Sequence, residues 1–119
     1  PMLTFTFGWP NRLLSPNVPG HWAKKAAAKK AYRTACKRIV EETEGSMPPI
    51  PPDGAVRVSM RFFPPSRRRM DLDNALASMK AGLDGLADGL GCDDSLFRPS
   101  ADWGEKVGGF VEITVEVIE

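Results

Sequence analysis

Histidine and cysteine are nearly missing from this chain, and each scarcity removes a class of chemistry. His21 is the only histidine, so a Ser-His-Asp or Cys-His nucleophilic site has one available base, and no G-x-S-x-G accompanies it. Cys36 and Cys92 are the only cysteines. They have no CxxC spacing and no histidine nearby, so neither a zinc site nor a disulfide scaffold is expected, and both read as buried, reduced thiols. The phosphate-cradling P-loop and the dinucleotide pattern G-x-G-x-x-G are absent, so no nucleotide cofactor is expected. No apolar run approaches the roughly 18 residues of a membrane span. The opening Pro1-Met2-Leu3-Thr4-Phe5 lacks the basic-then-apolar pattern of a signal peptide, so a cytoplasmic protein without a membrane partner is expected.

What is present suits one domain spanning residues 1–119. With 42% hydrophobic residues the chain can build one core but not two. Net charge is only +1, yet it is unevenly spread. Residues 1–70 carry 13 Lys/Arg against 4 Asp/Glu, and residues 71–119 carry 3 against 11. A basic half suits a polyanion and an acidic half suits divalent cations, although two solvated faces of opposite sign would give the same totals.

Hydrophobic periodicity places the elements. Leu3–Phe7 alternates as a strand, and a loop through Leu14-Ser15-Pro16-Asn17 follows. From Trp22 to Glu44 the chain has no Gly or Pro and stops at Gly45, which predicts a long helix. At 100° per residue, Ala28, Ala31, Tyr32, Ala35, Cys36 and Ile39 fall on one arc of it and Lys25, Lys29, Lys30, Arg33 and Lys37 on the opposite arc. The proline-rich stretch 46–54 is an extended connection. Val56–Phe62 alternates as a second strand. Leu72, Leu76, Met79, Leu83, Leu86 and Leu90 repeat every three to four residues, which predicts one second helix with that face in the core. Residues 96–103 and Phe110–Val117 read as two further strands forming a hairpin through Gly108-Gly109. The order β-α-β-α-β-β predicts an α+β fold, a small mixed or antiparallel sheet covered by two helices.

Arg67-Arg68-Arg69-Met70-Asp71-Leu72-Asp73-Asn74 runs three guanidiniums into two carboxylates where the second helix begins. Read as a helix N-terminus, the stretch needs one of these aspartates, Asp71 or Asp73, as its cap. Asp71 and Asp73 together with Asp93 and Asp94, beyond the far end of the same helix, supply up to four hard oxygen ligands, the kind Mg²⁺ takes. Such an ion polarises a phosphodiester and lowers the pKa of a bound water. The adjacent arginines suit flanking phosphates. Asp73, Lys80 and Asp84, spaced by seven and four, share a stripe of the helix. Lys80 is then either a cation stabilising charge on a phosphate or the partner of an i,i+4 pair with Asp84, and the spacing leaves both open.

These residues resemble the RusA family of Holliday junction resolvases. The resemblance rests on Phe63-Pro64-Pro65, Arg67–Arg69, Asp71-Leu72-Asp73-Asn74, Lys80, Asp84-Gly85-Leu86 and Asp93-Asp94-Ser95, together with Leu14-Ser15-Pro16-Asn17, His21-Trp22 and the basic run from Lys24 to Arg33, in order over nearly the whole chain. It implies a RusA-like homodimer that binds four-way DNA junctions and nicks two opposing strands with Mg²⁺ or Mn²⁺, in association with the nucleoid. It also implies that Asp71, Asp73 and Asp94 hold the metal. The family's catalytic lysine closely follows the DxDN. Here the position three after Asn74 is Ala77, and Lys80 is the nearest lysine. Phosphate contacts would come from Arg67, Arg68 and Arg69 and from Lys25, Lys29, Lys30 and Arg33. Two other readings stand beside this one. A haloacid-dehalogenase-type phosphatase needs its DxD directly after an early strand of a doubly wound sheet, and a non-catalytic branched-DNA-binding module needs no metal.

Overall fold

In the computed structural model, which describes residues 2–43, 45, 47–68 and 70–118, the alternating segments are four strands. They are β1 (Met2–Gly8), β2 (Ala55–Phe63), β3 (Phe97–Trp103) and β4 (Phe110–Ile118). They form one mixed sheet in the order β1-β4-β2-β3. β4 is antiparallel to both neighbours, while β3 runs parallel to β2. Because side chains alternate along a strand, Phe5, Phe7, Val56, Val58, Met60, Phe62, Val111, Ile113 and Val115 all reach one side. There they meet Cys36, Val40, Ala75, Met79 and Leu86 from the helices. The other side is polar, and Arg57 and Glu116, which are register partners, pair at 2.7 Å. A fully buried large apolar side chain contributes roughly 1.5–3 kcal/mol. An exposed pair contributes at most about 1 kcal/mol, so the apolar side holds the sheet together.

The expected hairpin of β3 and β4 is not formed, because β2 lies between them. Parallel pairing needs a crossover of a dozen or more residues, and the helical segment 72–90 provides it. The loop after Trp103 instead passes over the end of β2. The Gly104 N–H donates to the Phe62 carbonyl at 2.8 Å and the Gly109 N–H to that of Phe63 at 2.7 Å. Gly109 takes φ +83°, a conformation that favours glycine. β3 has Pro99 and sits at the sheet edge, where its missing donor costs no ladder bond.

The long helix is α1 (Trp22–Glu42), and the expected residue Glu44 lies outside the described residues. Its packed side runs through Ala28, Tyr32, Cys36, Ile39 and Val40, whereas Ala31 and Ala35, expected on that arc, are exposed. Rows at i, i+4 drift around a helix by about 40° per step, so a helix crossing its neighbour at an angle buries such a row rather than a straight arc. Cys36 is fully buried, and burial pushes its thiol up to about 12.

The second predicted helix is two, α2 (Leu72–Ala77) and α3 (Lys80–Leu90), so the helical layer has three members rather than two. Ser78 causes the break. Its Oγ donates back to the Asn74 carbonyl at 2.8 Å, and the Met79 N–H turns to Leu76, three residues back, at 3.0 Å. Serine bonded back to i−4 in this way bends helices. The leucine face survives the break. Met79 and Leu86 are fully buried, and Leu72, Leu76, Leu83 and Leu90 pack against the core. The stripe from Asp73 to Lys80 does not survive, since the two residues stand on different helices. A second face of α3, made of Gly82, Gly85 and Gly89, lies against Tyr32, Arg33 and Val40 of α1.

Candidate functional site

β2 is terminated by Pro64-Pro65, and the chain re-enters the core as α2 with Asp71 in the cap position. Asp71 has the extended backbone of a cap, φ −73° and ψ 137°, but its side chain makes no capping hydrogen bond. Asp73 lies in the first turn. Both are exposed, and neither carboxylate has an ion pair with another described residue. The capping bond that would have explained one of them is not made.

Asp93 and Asp94 behave differently from each other. Asp93 caps the short 3₁₀ turn Asp94–Leu96, its Oδ1 accepting from the Ser95 N–H at 2.8 Å, and that bond holds its carboxyl below the usual carboxylate range. Arg98 braces the same turn from β3, donating to the Ser95 and Phe97 carbonyls. The braced turn presents Asp94 to Lys80, the first residue of α3. Lys80 Nζ donates to Asp84 Oδ1 at 3.2 Å and to Asp94 Oδ2 at 3.4 Å. Asp84, and after it Asp94, hold the Lys80 ammonium above its ordinary range. Of the two readings of Lys80, the i,i+4 pair is the one formed, and the same ammonium also reaches Asp94.

Asp93 was one of the expected metal ligands, and its capping bond makes a sharp prediction. Asn caps a turn as well as Asp does, whereas Ala removes the bond at about 1 kcal/mol. Asp93→Asn is therefore expected to keep wild-type thermal stability and activity, and Asp93→Ala to lose both in part. Equal loss in the two variants, read by thermal unfolding beside an activity assay, would make the charge and not the cap the important feature.

Among the described residues no group of three or more His, Cys, Asp or Glu side chains stands close enough to hold a metal ion. The fold does not gather Asp71, Asp73 and Asp94 into a ready-made cage; it brings Asp94 to Lys80 and Asp84.

The basic residues divide in the same way. Lys25, Lys29 and Lys30 of α1 line a groove with Lys80, Ala81 and Asp84 of α3, on the side where Lys80 meets Asp94. Arg33 borders this groove but is engaged, its guanidinium making two bonds to Asp88 at 2.7 and 2.9 Å that raise the Arg33 pKa and lower that of Asp88. Arg67 and Arg68 line a separate groove with Trp103, Lys106 and Val107. Arg69 lies outside the described residues. His21 caps α1, its Nδ1 accepting from the Ala23 N–H at 3.2 Å, which is a structural use for the single available base. Among the aromatics, Phe62 and Phe63 are buried and Trp9 packs against the core, while Trp22 is 76% exposed.

One wall of the site has no counterpart among the sequence expectations. The loop after β1 folds back so that Asn17 Nδ2 donates to Asn74 Oδ1 at 3.0 Å, joining the N-terminal segment to the DxDN motif across 57 residues. Trp9, Arg12 and Val18 of this loop face Asp71 and Asn74 across a cleft. Spacing carries no sign of this contact. An asparagine in a proline-rich loop signals a turn, not its docking partner.

No helix among the described residues is long and apolar enough to cross a membrane. The chain matches no protein-family model. It is similar to a protein of Xylella fastidiosa (strain Temecula1) described as uncharacterized, with 34% identity over 116 residues that cover 96% of this chain and 76% of that protein. Likeness of that degree over nearly the whole chain carries common descent and a shared fold, and the chain belongs to the family of that Xylella fastidiosa protein.

Proposed function

We propose that this protein is a Mg²⁺-dependent DNA endonuclease of the RusA type, which as a homodimer resolves four-way junctions by paired symmetric nicks. The observation that carries the reading is the state of Asp71 and Asp73, two exposed carboxylates one residue apart that take neither the capping bond nor an ion pair among the described residues. Two exposed carboxylates that no described side chain engages are open to a cation. Their chemistry fits Mg²⁺, which prefers oxygen donors, keeps several waters, and binds through one or two carboxylates plus substrate phosphate rather than in an all-protein cage. Asp71 and Asp73 would hold it, with Asp94 as the third ligand that the resemblance implies. Bound there, Mg²⁺, or Mn²⁺ in its place, supplies the Lewis acidity and the lowered water pKa that phosphodiester hydrolysis requires.

The chain's own residues account for binding. Lys25, Lys29 and Lys30 offer sequence-independent phosphate contacts leading toward Lys80, and Arg67 and Arg68 offer others beyond β2. Lys80 sits where it can exchange a carboxylate for a phosphate oxygen, which suits charge stabilisation during cleavage. A two-fold dimer would place two such sites on a nearly two-fold junction. The phosphatase alternative loses its frame, because the DxD opens a short helix beside a four-stranded mixed sheet and not a doubly wound one. The binding-module alternative keeps one observation in its favour, the lack of a three-ligand group among the described residues.

Incubating the purified protein with an end-labelled synthetic four-way junction separates the readings. The expected result is a pair of symmetry-related nicks with Mg²⁺, none in EDTA, and little on linear duplex. Junction binding without cleavage in Mg²⁺ or Mn²⁺ favours the binding module, and equal cleavage of duplex and junction a general nuclease. Binding is expected to fall steeply with salt as condensed counterions are released.

A further inference from the structure

Between the loop after β1 and the start of α2 lies a cleft of about 760 Å³, lined by Trp9, Arg12, Val18, Met70, Asp71 and Asn74, among others. Its volume falls within the roughly 300–1,000 Å³ of small-ligand sites. Its walls are held in place. Trp9 donates its backbone N–H to the Gly109 carbonyl at 3.3 Å, and its ring sits edge-on to Phe62, with centroids 6.0 Å apart at 81°. The facing wall is clamped to the loop by the Asn17–Asn74 bond. Because that bond occupies Asn74 Oδ1, the Asn74 amide is left with N–H donors to offer a ligand. Arg12 adds a guanidinium without an ion pair among the described residues.

An aromatic wall, a fixed amide donor and a guanidinium are the groups that recognise a nucleotide, through stacking on the ring, hydrogen bonding to base acceptors, and attraction for the phosphate. We propose that this cleft seats one unstacked nucleobase of the cleaved strand, next to the phosphate addressed by Asp71 and Asp73. The inference rests on the nuclease reading and adds to it a substrate contact that selects the cleavage position. An unstacked base is the fitting occupant because only a base out of its pair offers both its ring face and its hydrogen-bonding edge to the two walls. Leaving the stack costs least where pairing is already interrupted, as at a branch point.

The test replaces each nucleotide flanking the cleaved phosphate, one at a time, by an abasic tetrahydrofuran residue and measures cleavage of the junction. Stacking on an aromatic side chain is worth about 1–3 kcal/mol per base, so one position, and only one per strand, is expected to slow cleavage by about tenfold or more. Val18→Trp, which fills the cleft from an exposed loop, is expected to abolish the difference between intact and abasic junctions. Arg12→Ala, which leaves the cleft open but removes the attraction for the phosphate, is expected to slow cleavage of intact and abasic junctions alike and so to keep the difference. Circular dichroism confirms that both variants fold. Cleavage with no abasic position slower than the others, or a difference that persists in Val18→Trp, overturns the base site and leaves the nuclease reading intact. Failure to bind or cut DNA at all overturns both.

Discussion

Asp73→Asn is expected to abolish strand cleavage of a four-way junction while binding of that junction survives or tightens. The two effects have opposite signs because one carboxylate does two things. With the ion present it anchors the charge that activates the phosphodiester, and without the ion it repels the phosphates that the basic groove draws in. Losing an outer-shell partner of a metal site already costs roughly 10–100-fold, so loss of a ligand should exceed about 100-fold. Asp71→Asn and Asp94→Asn should follow the same pattern. Cleavage assays with Mg²⁺, run beside gel-shift titrations in EDTA, read both quantities on one substrate. A variant at Asp73 that retains more than about a tenth of wild-type cleavage would remove the carboxylate pair from the mechanism.

The second large effect concerns stability. In Gly85→Ala the added methyl carbon would collide with the Arg33 carbonyl oxygen and lie 3.0 Å from Cys36 Cβ. The first contact is with backbone, so relief requires the two helices to part. Alanine's better helix propensity returns up to about 1 kcal/mol, but overpacking of a tight core costs typically about 1–3 kcal/mol or more. The steric term wins because α1 and α3 would separate along their whole contact. A Tm lower by roughly 5 °C or more is expected in a thermal melt. Gly91→Ala provides the comparison. Nothing lies within 4 Å of its methyl, and φ is +72°, so it carries only the left-handed strain of about 1–2 kcal/mol. Equal stability of Gly85→Ala and wild type would mean that the helices are not as close as described.

What the chain reveals of itself before folding is mostly local. Alternation in Val56–Phe62 and in Phe110–Val117 and the leucine repeat from Leu72 to Leu90 each identify an element, because burial on one side imposes a period of two or of 3.6. Partnership between strands leaves no such mark. The two final strands look like a hairpin because they are close in sequence, and only the insertion of β2 between them reveals otherwise. The break at Ser78 is visible in principle, since a serine in the middle of a helix can bond backwards, but the leucine period runs through it undisturbed. Gly82, Gly85 and Gly89, at spacings of three and four, also signal a close helix contact. The leucines overshadow them. In the site, Asp71, Asp73 and Asp94 are marked by residue type alone. That Asp93 is spent on a cap, Arg33 on Asp88, and Asn17 on Asn74 depends on contacts made only after the chain has closed.

The position of β4 has a consequence for how the protein comes into being. It is hydrogen-bonded to β1 and β2 on its two sides, yet it is translated after both of them and after every helix. Until its codons are read, β1 has no neighbour in the sheet, and the phenylalanines of β1 and the valines of β2 have only part of their eventual cover. A growing chain must therefore wait for β4 before this sheet can assemble, and non-local pairing of this kind is slow and exposed to aggregation while it lasts. Nascent chains stalled before β4 is made should be conspicuous clients of ribosome-bound chaperones, and chains in which β4 is free to pair should not.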